Sequence, residues 1–310
     1  MHIGLPAHSP VSERRQMMRV RARAKINWTL DVVGKRSDGY HLLDTLMQSV
    51  ELYDTLTFEP CGELEFITTG AARVPSDENN LVCKAMNLLA ARTGVTHGVR
   101  VILRKRIPIG GGMGGGSADA AATLAGLNRF WRLGLREDAL RALGAEVGAD
   151  VPFCLVGGLS RATGIGEKLE KLPSHRPAYL VVIQPCRGLS TREIFQLFSQ
   201  DGLRPNQRPM QEDAVAAARE GDLRRLCRSM GNALQPAAIR QRPEIAQAIQ
   251  ALEMMGAIRA QMTGSGSAVF GVFETAYGAQ RAWESLSPIW GRCWTTRTAS
   301  RSLVFRGWMN

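Results

Sequence analysis

PIGGGMGGGSADAAA, residues 108–122, places six glycines in the seven positions 110–116, directly ahead of an alanine-rich helix former. Glycine has no Cβ, so an anion can approach the backbone closely, and positive φ angles let successive N–H groups point at one spot. The helix that we expect Ser117 and Asp119 to open has free N–H groups and a positive dipole end there. The stretch therefore predicts a phosphate cradle, in which a branched side chain at Gly115 would be incompatible with a positive φ.

Other glycine-rich motifs fit the flanking sequence less well. A P-loop requires a lysine after its last glycine, and none follows here. Gly110, Gly112 and Gly115 satisfy the spacing GxGxxG after a predicted strand at residues 99–107. A dinucleotide-binding fold would continue from the helix into a second buried strand, whereas residues 137–148 show another helical pattern. A flexible glycine linker would have polar neighbours and would not lead into a helix. Nucleotide binding therefore stays the first hypothesis for this stretch.

The composition is that of a basic chain with enough apolar residues for a sizeable core. A length of 310 residues with 45% hydrophobic content favours two domains. The net charge of +11 suits either nucleic acid or a small anionic substrate. The basic runs at 14–23 and 223–228 do not alternate with aromatic residues as a single-strand-binding surface would. We interpret them as solvated surface that steers a phosphorylated substrate.

The cysteines and the apolar pattern predict a cytoplasmic protein. The six cysteines are widely spaced, with no CxxC pair and no histidine at ligand spacing, which argues against a zinc site and a disulfide framework. No apolar stretch approaches the roughly 18 residues of a membrane helix. Residues 1–16 lack the apolar segment of a secretory signal. We expect residues 1–18 to form an N-terminal extension.

The order of the periodic segments predicts an α+β fold. Strand patterns cover residues 19–50 around a turn at Ser37-Asp38-Gly39. A further strand pair is predicted at 153–163, and another at 258–273, with helices between and after them. PSHRP, residues 173–177, combines two prolines with polar residues and precedes a new apolar strand. It is the predicted linker, which gives an N-terminal domain at 19–174 and a C-terminal domain at 175–310.

Lys25 and Asp150 carry the groups that phosphoryl transfer to an alcohol requires. The reaction needs an anion cradle, positive charge on the transferring group, and a carboxylate that holds or deprotonates the hydroxyl. Lys25 lies on an otherwise apolar strand, where a lysine is unfavourable unless it is paired. Asp150 precedes Val151-Pro152, where we expect proline to force an extended backbone that aims the carboxylate. We predict that the two side chains pair.

Five separated stretches, taken in order, resemble the GHMP small-molecule kinases. They are AKINWTL (24–30), SDGYH (37–41), the glycine stretch, GADVPF (148–153) and MTGSGSAVF (262–270). The resemblance covers residues 19–273 and implies a two-domain GHMP kinase fold, with an S5-like N-terminal domain and a ferredoxin-like C-terminal domain. It also implies ATP as the phosphoryl donor, with Mg²⁺ bound to the ATP. AKIN, DGYH and GGGSADAA resemble the members that phosphorylate the 2-hydroxyl of a cytidine-diphosphate-linked methylerythritol.

The resemblance further implies a role for individual residues, with Lys25 and Asp150 as the catalytic pair. It places the loop 264–266 near the active site. The residues implied for the cytidine-linked substrate are Asn27, Tyr40, His41, Thr191 and Phe195, the last two closing over the cytosine ring. The residues implied for ATP are Asn80 and Lys105 beside the adenine, and Pro108, Gly110, Gly111, Gly112, Gly114, Gly115, Gly116 and Ser117 around the phosphates.

Two departures from the family pattern qualify these expectations. Ala118 stands where many members carry a second serine, and Met113 replaces the usual leucine. The missing hydroxyl leaves no protein ligand that we assign to magnesium. We expect ATP and the small molecule as the only partners, with no nucleic acid and no membrane, in a monomer or weak dimer.

Two other functions remain open at this point. A sister kinase would act on homoserine, mevalonate or a sugar, although DGYH argues against it. A nucleic-acid-binding protein built on the S5-like domain would use the basic surface, but it would leave Asp150 and the glycine stretch without a role.

Overall fold

The chain builds two sheets with helices packed against them. The computed structural model describes residues 17–70, 74–75, 77–201 and 208–307. The strands are β1 (Met18–Lys35), β2 (His41–Pro60), β3 (Leu64–Thr69), β4 (Val99–Arg104), β5 (Leu159–Gly164), β6 (Lys168–Leu172), β7 (Tyr179–Ile183), β8 (Gly231–Asn232), β9 (Arg259–Met262), β10 (Val269–Phe273), β11 (Cys293–Arg297) and β12 (Leu303–Arg306). The helices are α1 (Leu81–Thr93), α2 (Gly115–Phe130), α3 (Glu137–Val147), α4 (Val151–Val156), α5 (Thr191–Asp201), α6 (Gln211–Glu220), α7 (Leu223–Ser229), α8 (Gln235–Gln241), α9 (Glu244–Met254) and α10 (Ala276–Trp290).

The first sheet centres on the long antiparallel ribbon of β1 and β2. Its strand order is β12-β1-β2-β4-β3, and β5 also pairs with β2. Helix α2 lies close to this sheet because its buried face is made of alanines and Gly126. A Cβ on Gly126 would come within 2.3 Å of the Phe58 ring. This close packing brings the start of α2, with its glycines, to the strand that carries Lys25.

The second sheet is antiparallel, with the order β11-β7-β10-β9. Helices separate β7 from the β9–β10 pair and that pair from β11, and the last strand returns beside the first, which is the ferredoxin-like order. Helices α9 and α10 pack against it. The α+β class and the strand pair predicted at 258–273 are confirmed.

The predicted linker lies between β6 and β7, where the chain leaves the first sheet for the second. Beyond it, β8 and β12 return to pair with β1. The division into domains at 19–174 and 175–310 stays a prediction, and residues 1–16 of the predicted extension lie outside the described residues. No described helix has the length and apolar character needed to cross a membrane.

Two predictions around Asp150 are wrong. Asp150 has φ −84° and ψ −9°, a helical conformation, and it caps α4 instead of lying in extended chain. The predicted strand pair at 153–163 is a helix followed by a single strand, β5. Pro152 lies in the first turn of α4, where its missing N–H is not needed, and Gly157 ends the helix with a φ of +64°.

Candidate active site

The glycine stretch forms a tight loop that leads directly into α2. Gly110, Gly112 and Gly114 have φ angles of +67°, +72° and +67°. Gly114 is the N-cap of α2 and provides no side-chain acceptor, so the first N–H groups of the helix have no cap partner. The helix therefore begins at Gly115, two residues before Ser117, and Gly115 itself has no positive φ. This geometry suits a phosphate group, as the sequence predicts.

A second glycine loop, at residues 263–267, packs against the first. A Cβ on Gly112 would lie 2.2 Å from the carbonyl oxygen of Thr263, and one on Gly264 would lie 2.6 Å from the carbonyl oxygen of Gly112. The Ser267 N–H donates to the Gly110 carbonyl at 3.3 Å. The loop that the family resemblance implies near the active site therefore lies against the predicted cradle, and neither loop tolerates a side chain at these contacts.

Lys25 and Asp150 form the ion pair predicted from the sequence. The Lys25 Nζ lies 3.3 Å from the Asp150 Oδ2, and the side chains are 6% and 32% exposed. Irregularities in the β1–β2 register on either side of Lys25 to Asn27 mark this short piece of strand, and such bulges commonly re-aim side chains beside active sites. The buried ammonium and the half-exposed carboxylate together leave an oxygen of Asp150 open to a substrate.

Lys25 is also fixed to the glycine loop. Its backbone N–H donates to the Met113 carbonyl at 3.0 Å. A Cβ on Gly114 would come 3.0 Å from the Lys25 Cγ. The ammonium thus lies between the predicted phosphate cradle and the Asp150 carboxylate, where it can act on both.

Asn27 is buried beside Lys25, and its amide is fully engaged. Its Oδ1 accepts from the Lys25 Nζ at 2.9 Å and from the Thr263 hydroxyl at 3.2 Å, and its Nδ2 donates to the Thr45 hydroxyl at 2.8 Å. Only 1% of Asn27 is exposed. Asn27 therefore supports the lysine, and its role toward the substrate stays a prediction.

Lys105 is held by two buried carboxylates, and its predicted place beside the adenine stays a prediction. Its Nζ donates to Asp54 Oδ2 at 2.5 Å and Asp119 Oδ2 at 2.7 Å. Burial lowers the pKa of Lys105, but the two carboxylates, led by Asp119, more than offset this and raise it. Burial raises the pKa of Asp119 well above its usual value despite Lys105. This buried trio lies below the loop, since a Cβ on Gly115 would come 3.2 Å from the Lys105 Nζ.

Asn80 caps α1 next to the start of α2. Its Oδ1 accepts from the Val82 N–H at 2.9 Å, and its Nδ2 donates to the Pro75 carbonyl at 2.6 Å. A Cβ on Gly116 would lie 3.6 Å from the side chain of Leu81. The structure therefore brings Asn80 to the side of the phosphate loop, as its expected role requires, with its amide engaged in the cap.

Three of the residues expected to bind cytidine, Tyr40, His41 and Phe195, lie at the turn end of the β1–β2 ribbon. The His41 ring stacks on Phe195 with centroids 4.8 Å apart, and its Nε2 lies 2.8 Å from the Ser199 hydroxyl oxygen. Burial, with help from Lys35, lowers the pKa of His41. Tyr40 is 62% exposed. Thr191 instead reaches the second glycine loop, with its hydroxyl 2.8 Å from that of Ser265.

Asp54 and Thr263 are site residues that the sequence reasoning missed. Asp54 takes an inward position in the alternating pattern of β2, between Leu52 and Leu56, all three of which are buried. An aspartate at such a position must have a partner, and that signal could have identified it. No sequence pattern marks Thr263, because its partner Asn27 is distant in the sequence and only the fold brings the two together.

The described residues contain no group of three or more His, Cys, Asp or Glu side chains that could hold a metal ion. Pro108 and Ala118 are buried next to the loop and have no side-chain group that could bind a metal ion. Ser117, in the first turn of α2, is the hydroxyl nearest in sequence to the cradle.

The site consists of two glycine loops packed beside a lysine–aspartate pair. Together with a mixed sheet and a ferredoxin-like sheet, this arrangement is that of a kinase of small molecules. The GHMP kinases N terminal domain matches residues 80–158, and the GHMP kinases C terminal domain matches residues 214–291. The chain belongs to the GHMP kinase family.

Within the family, the chain is similar to 4-diphosphocytidyl-2-C-methyl-D-erythritol kinases. It is 37% identical to that of Alkaliphilus metalliredigens over 92% of this chain and 98% of the relative. It is 45% identical to that of Pelotomaculum thermopropionicum, over 81% and 87%. A solved 4-(cytidine 5'-diphospho)-2C-methyl-D-erythritol kinase superimposes with a TM-score of 0.75 at 34% identity, over 91% of this chain and 99% of that one. A homoserine kinase from Cytophaga hutchinsonii, at 19% identity and a TM-score of 0.77, covers 98% and 100% and shares the fold alone.

Proposed function

We propose that the chain transfers the γ-phosphoryl group of ATP to the 2-hydroxyl of 4-diphosphocytidyl-2-C-methyl-D-erythritol, a step of the non-mevalonate route to isoprenoid precursors. The observation that carries the proposal is the Lys25–Asp150 pair, 3.3 Å between Nζ and Oδ2, directly beneath the glycine loop. The identity of 37% and 45% between the chain and kinases named for this substrate supports this substrate over homoserine, mevalonate or a sugar.

The glycine loop and the first turn of α2 bind the phosphates of ATP. The positive φ angles at Gly110, Gly112 and Gly114 and the uncapped N–H groups of α2 provide donors without side chains. Asn80 lies beside this turn and flanks the adenine. Lys105 supports the loop from below through Asp54 and Asp119, so its contribution to ATP binding is indirect.

Asp150 receives the substrate hydroxyl on its exposed oxygen and takes the proton as the oxygen attacks. Lys25 pairs with the carboxylate and places positive charge beside the phosphoryl group as it transfers. Asn27 fixes the ammonium through its Oδ1. If the transition state is loose, Asp150 chiefly orients the hydroxyl and deprotonation comes late.

Tyr40, His41 and Phe195 bind the cytidine end of the substrate. The ring cluster and the Lys25–Asp150 pair lie well apart along the ribbon. Met47 pairs with Asn27, beside Lys25, and His41 lies six residues earlier in β2, which is about 20 Å of strand. An elongated substrate suits this separation between a ring-binding end and a reacting end. The low pKa of His41 keeps its ring neutral near pH 7, when it can exchange hydrogen bonds with a base edge.

Magnesium neutralises charge on ATP in such reactions. The donors fit only an ion that arrives with the nucleotide, because Asp119 is committed to Lys105 and Ala118 offers no hydroxyl. Ser117, in the first turn of α2, would be the hydroxyl nearest in sequence to such an ion, and no protein ligand is assigned to it. We further propose that the protein works in the cytoplasm as a monomer or weak dimer, without nucleic acid.

The test is ADP release on a panel of alcohols: the cytidine-linked methylerythritol, homoserine, mevalonate and galactose. We expect turnover with the first alone. Turnover with another alcohol, or retention on single-stranded nucleic acid without any turnover, would contradict the proposed substrate.

A further inference from the structure

A second cavity, of about 280 Å³, lies under the predicted linker at residues 173–177. Its apolar wall includes Trp28, Leu159 and Leu226, and its rim includes Arg176 and Arg297. None of its lining residues belongs to the glycine loops, the Lys25–Asp150 pair or the ring cluster at His41. The volume is close to the lower end of the range for small-molecule sites.

Trp28, which lines this cavity, carries an unsatisfied donor. The side chain is 2% exposed, and its indole Nε1 is buried with no hydrogen-bond partner in the described part of the chain. Trp28 also sits at a break in the β1–β2 register, between Asn27 and Thr29. A buried N–H without an acceptor destabilises the fold, so a ligand acceptor at this N–H would recover stability.

Two arginines at the cavity, Arg176 and Arg297, have no ion-pair partner among the described residues. Of the lining carboxylates, Glu51 pairs with Arg23 at 2.8 Å, and Asp222 accepts from the N–H of Arg225 at 2.9 Å. His175 is held by the Arg219 carbonyl, 3.1 Å from its Nε2. Among the described residues, no carboxylate forms an ion pair with Arg176 or Arg297, which are both exposed on the rim. Two arginines without an ion-pair partner among the described residues therefore lie at the mouth, and the wall combines apolar side chains such as Leu159 and Leu226 with polar ones.

We propose that this cavity is a binding site for a small organic anion, a phosphate or carboxylate that carries a compact apolar group. The apolar group packs on Leu159, Leu226 and the Trp28 ring. One acceptor of the ligand takes the indole N–H, and the negative group lies between Arg176 and Arg297. The site is separate from the one that binds ATP and the phosphorylated alcohol, and it does not depend on the function proposed above.

Isothermal titration with n-butyl phosphate and butyrate tests the proposal, with 1-butanol and inorganic phosphate as probes of each half of the ligand. We expect n-butyl phosphate, butyrate or both to bind, and each half alone to bind at least tenfold more weakly. Arg176→Gln combined with Arg297→Gln should weaken binding tenfold or more, as should Ser174→Trp, which fills the mouth. Arg136→Gln, on a side chain 88% exposed outside the cavity, should leave the Kd unchanged.

Trp28→Phe keeps the ring without its N–H and should weaken binding severalfold, with a melting curve to verify the fold. The proposal is overturned if neither organic anion binds, if inorganic phosphate binds as tightly as the ester, or if the double arginine variant binds normally. It is also overturned if a non-hydrolysable ATP analogue or CDP displaces n-butyl phosphate, because the ester would then occupy the kinase site. Failure of the kinase assay leaves all of these outcomes unaffected.

Discussion

Gly114 lies directly against Lys25: a Cβ added to the glycine would come 3.0 Å from the lysine Cγ and 3.2 Å from its Cε. The same glycine has a φ of +67° and caps α2. One residue thus fixes both where the helix begins and where the ammonium lies. The position of Lys25 relative to the phosphates follows from this contact.

Gly114→Ala should raise the KM for ATP and lower kcat at least tenfold, because the new methyl group displaces Lys25 and the loop. Gly134→Ala is the matched control, since Gly134 also has a positive φ, +71°, but has open space around its Cβ position. Each should lose about 1–2 kcal/mol of stability from a non-glycine residue at positive φ, and Gly114→Ala more because of its contact with Lys25. Similar kinetics in the two variants would show that the contact with Lys25 has no role.

Asp150→Asn should fold, bind both substrates and lose about 10²–10⁴ in kcat, the scale for a positioned general base. Lys25→Met should lose at least as much, because its charge acts on the transferring group in every version of the mechanism. The measurement is steady-state kinetics with both substrates saturating. Asp138→Asn, at an exposed ion pair with Arg136, is the control. If Asp150→Asn keeps its full kcat, Asp150 has no catalytic role and only caps α4.

Tyr40→Ala and Phe195→Ala should raise the KM for the cytidine-linked substrate and leave the KM for ATP near its original value. The His41–Phe195 ring pair lies at the turn end of the ribbon, whereas the glycine loop contacts the middle of the ribbon at Lys25. Tyr277→Ala, at another exposed tyrosine, should change neither constant. An equal rise in both KM values would contradict the separation of the two binding regions.

Asp54→Asn should cost about 2–3 kcal/mol of stability, whereas Asp119→Asn should cost about 1 kcal/mol or less. Asp54 Oδ1 accepts from the N–H groups of Arg106 and Ile107, so the asparagine cannot turn its NH₂ away from the Lys105 ammonium. Asp119 Oδ1 has no partner, so its amide can turn. Chemical denaturation measures both, and equal losses would refute this assignment of roles within the trio.

The pH dependence of Asp119→Asn follows from the raised pKa of Asp119. Since the folded protein favours the protonated carboxyl, the wild type gains stability from this group as the pH falls through its folded pKa toward the usual value of about 3.8. The variant lacks this gain. Its stability relative to the wild type should therefore be highest at neutral or alkaline pH, as denaturation between pH 4 and pH 8 will show. A difference that stays constant over this range would contradict the shifted pKa.

Local chemistry made much of the site predictable. The glycines ahead of an alanine-rich segment predicted the loop and the helix, and the lone lysine in an apolar strand predicted its pairing with Asp150, which is present. Roles carried by the family resemblance, such as those of Tyr40 and Phe195, stay predictions.

The failures involve residues whose local sequence permits two structures or whose partners are distant. A proline suits both extended chain and the first turn of a helix, so Pro152 did not decide between them. Lys105 receives Asp54 from 51 residues upstream, and no local pattern records that pairing.

The placement of β12 against β1 has a consequence for synthesis on the ribosome. Strand β1 is the first described strand to emerge and β12 the last, yet Arg19 pairs with Arg306 across them. Until β12 is made, the outer edge of the strand that carries Lys25 exposes unpaired backbone groups to other nascent chains. The kinase site therefore rests on a sheet that co-translational folding completes only after β12 has been made, and until then a holding chaperone has its most useful target at that edge.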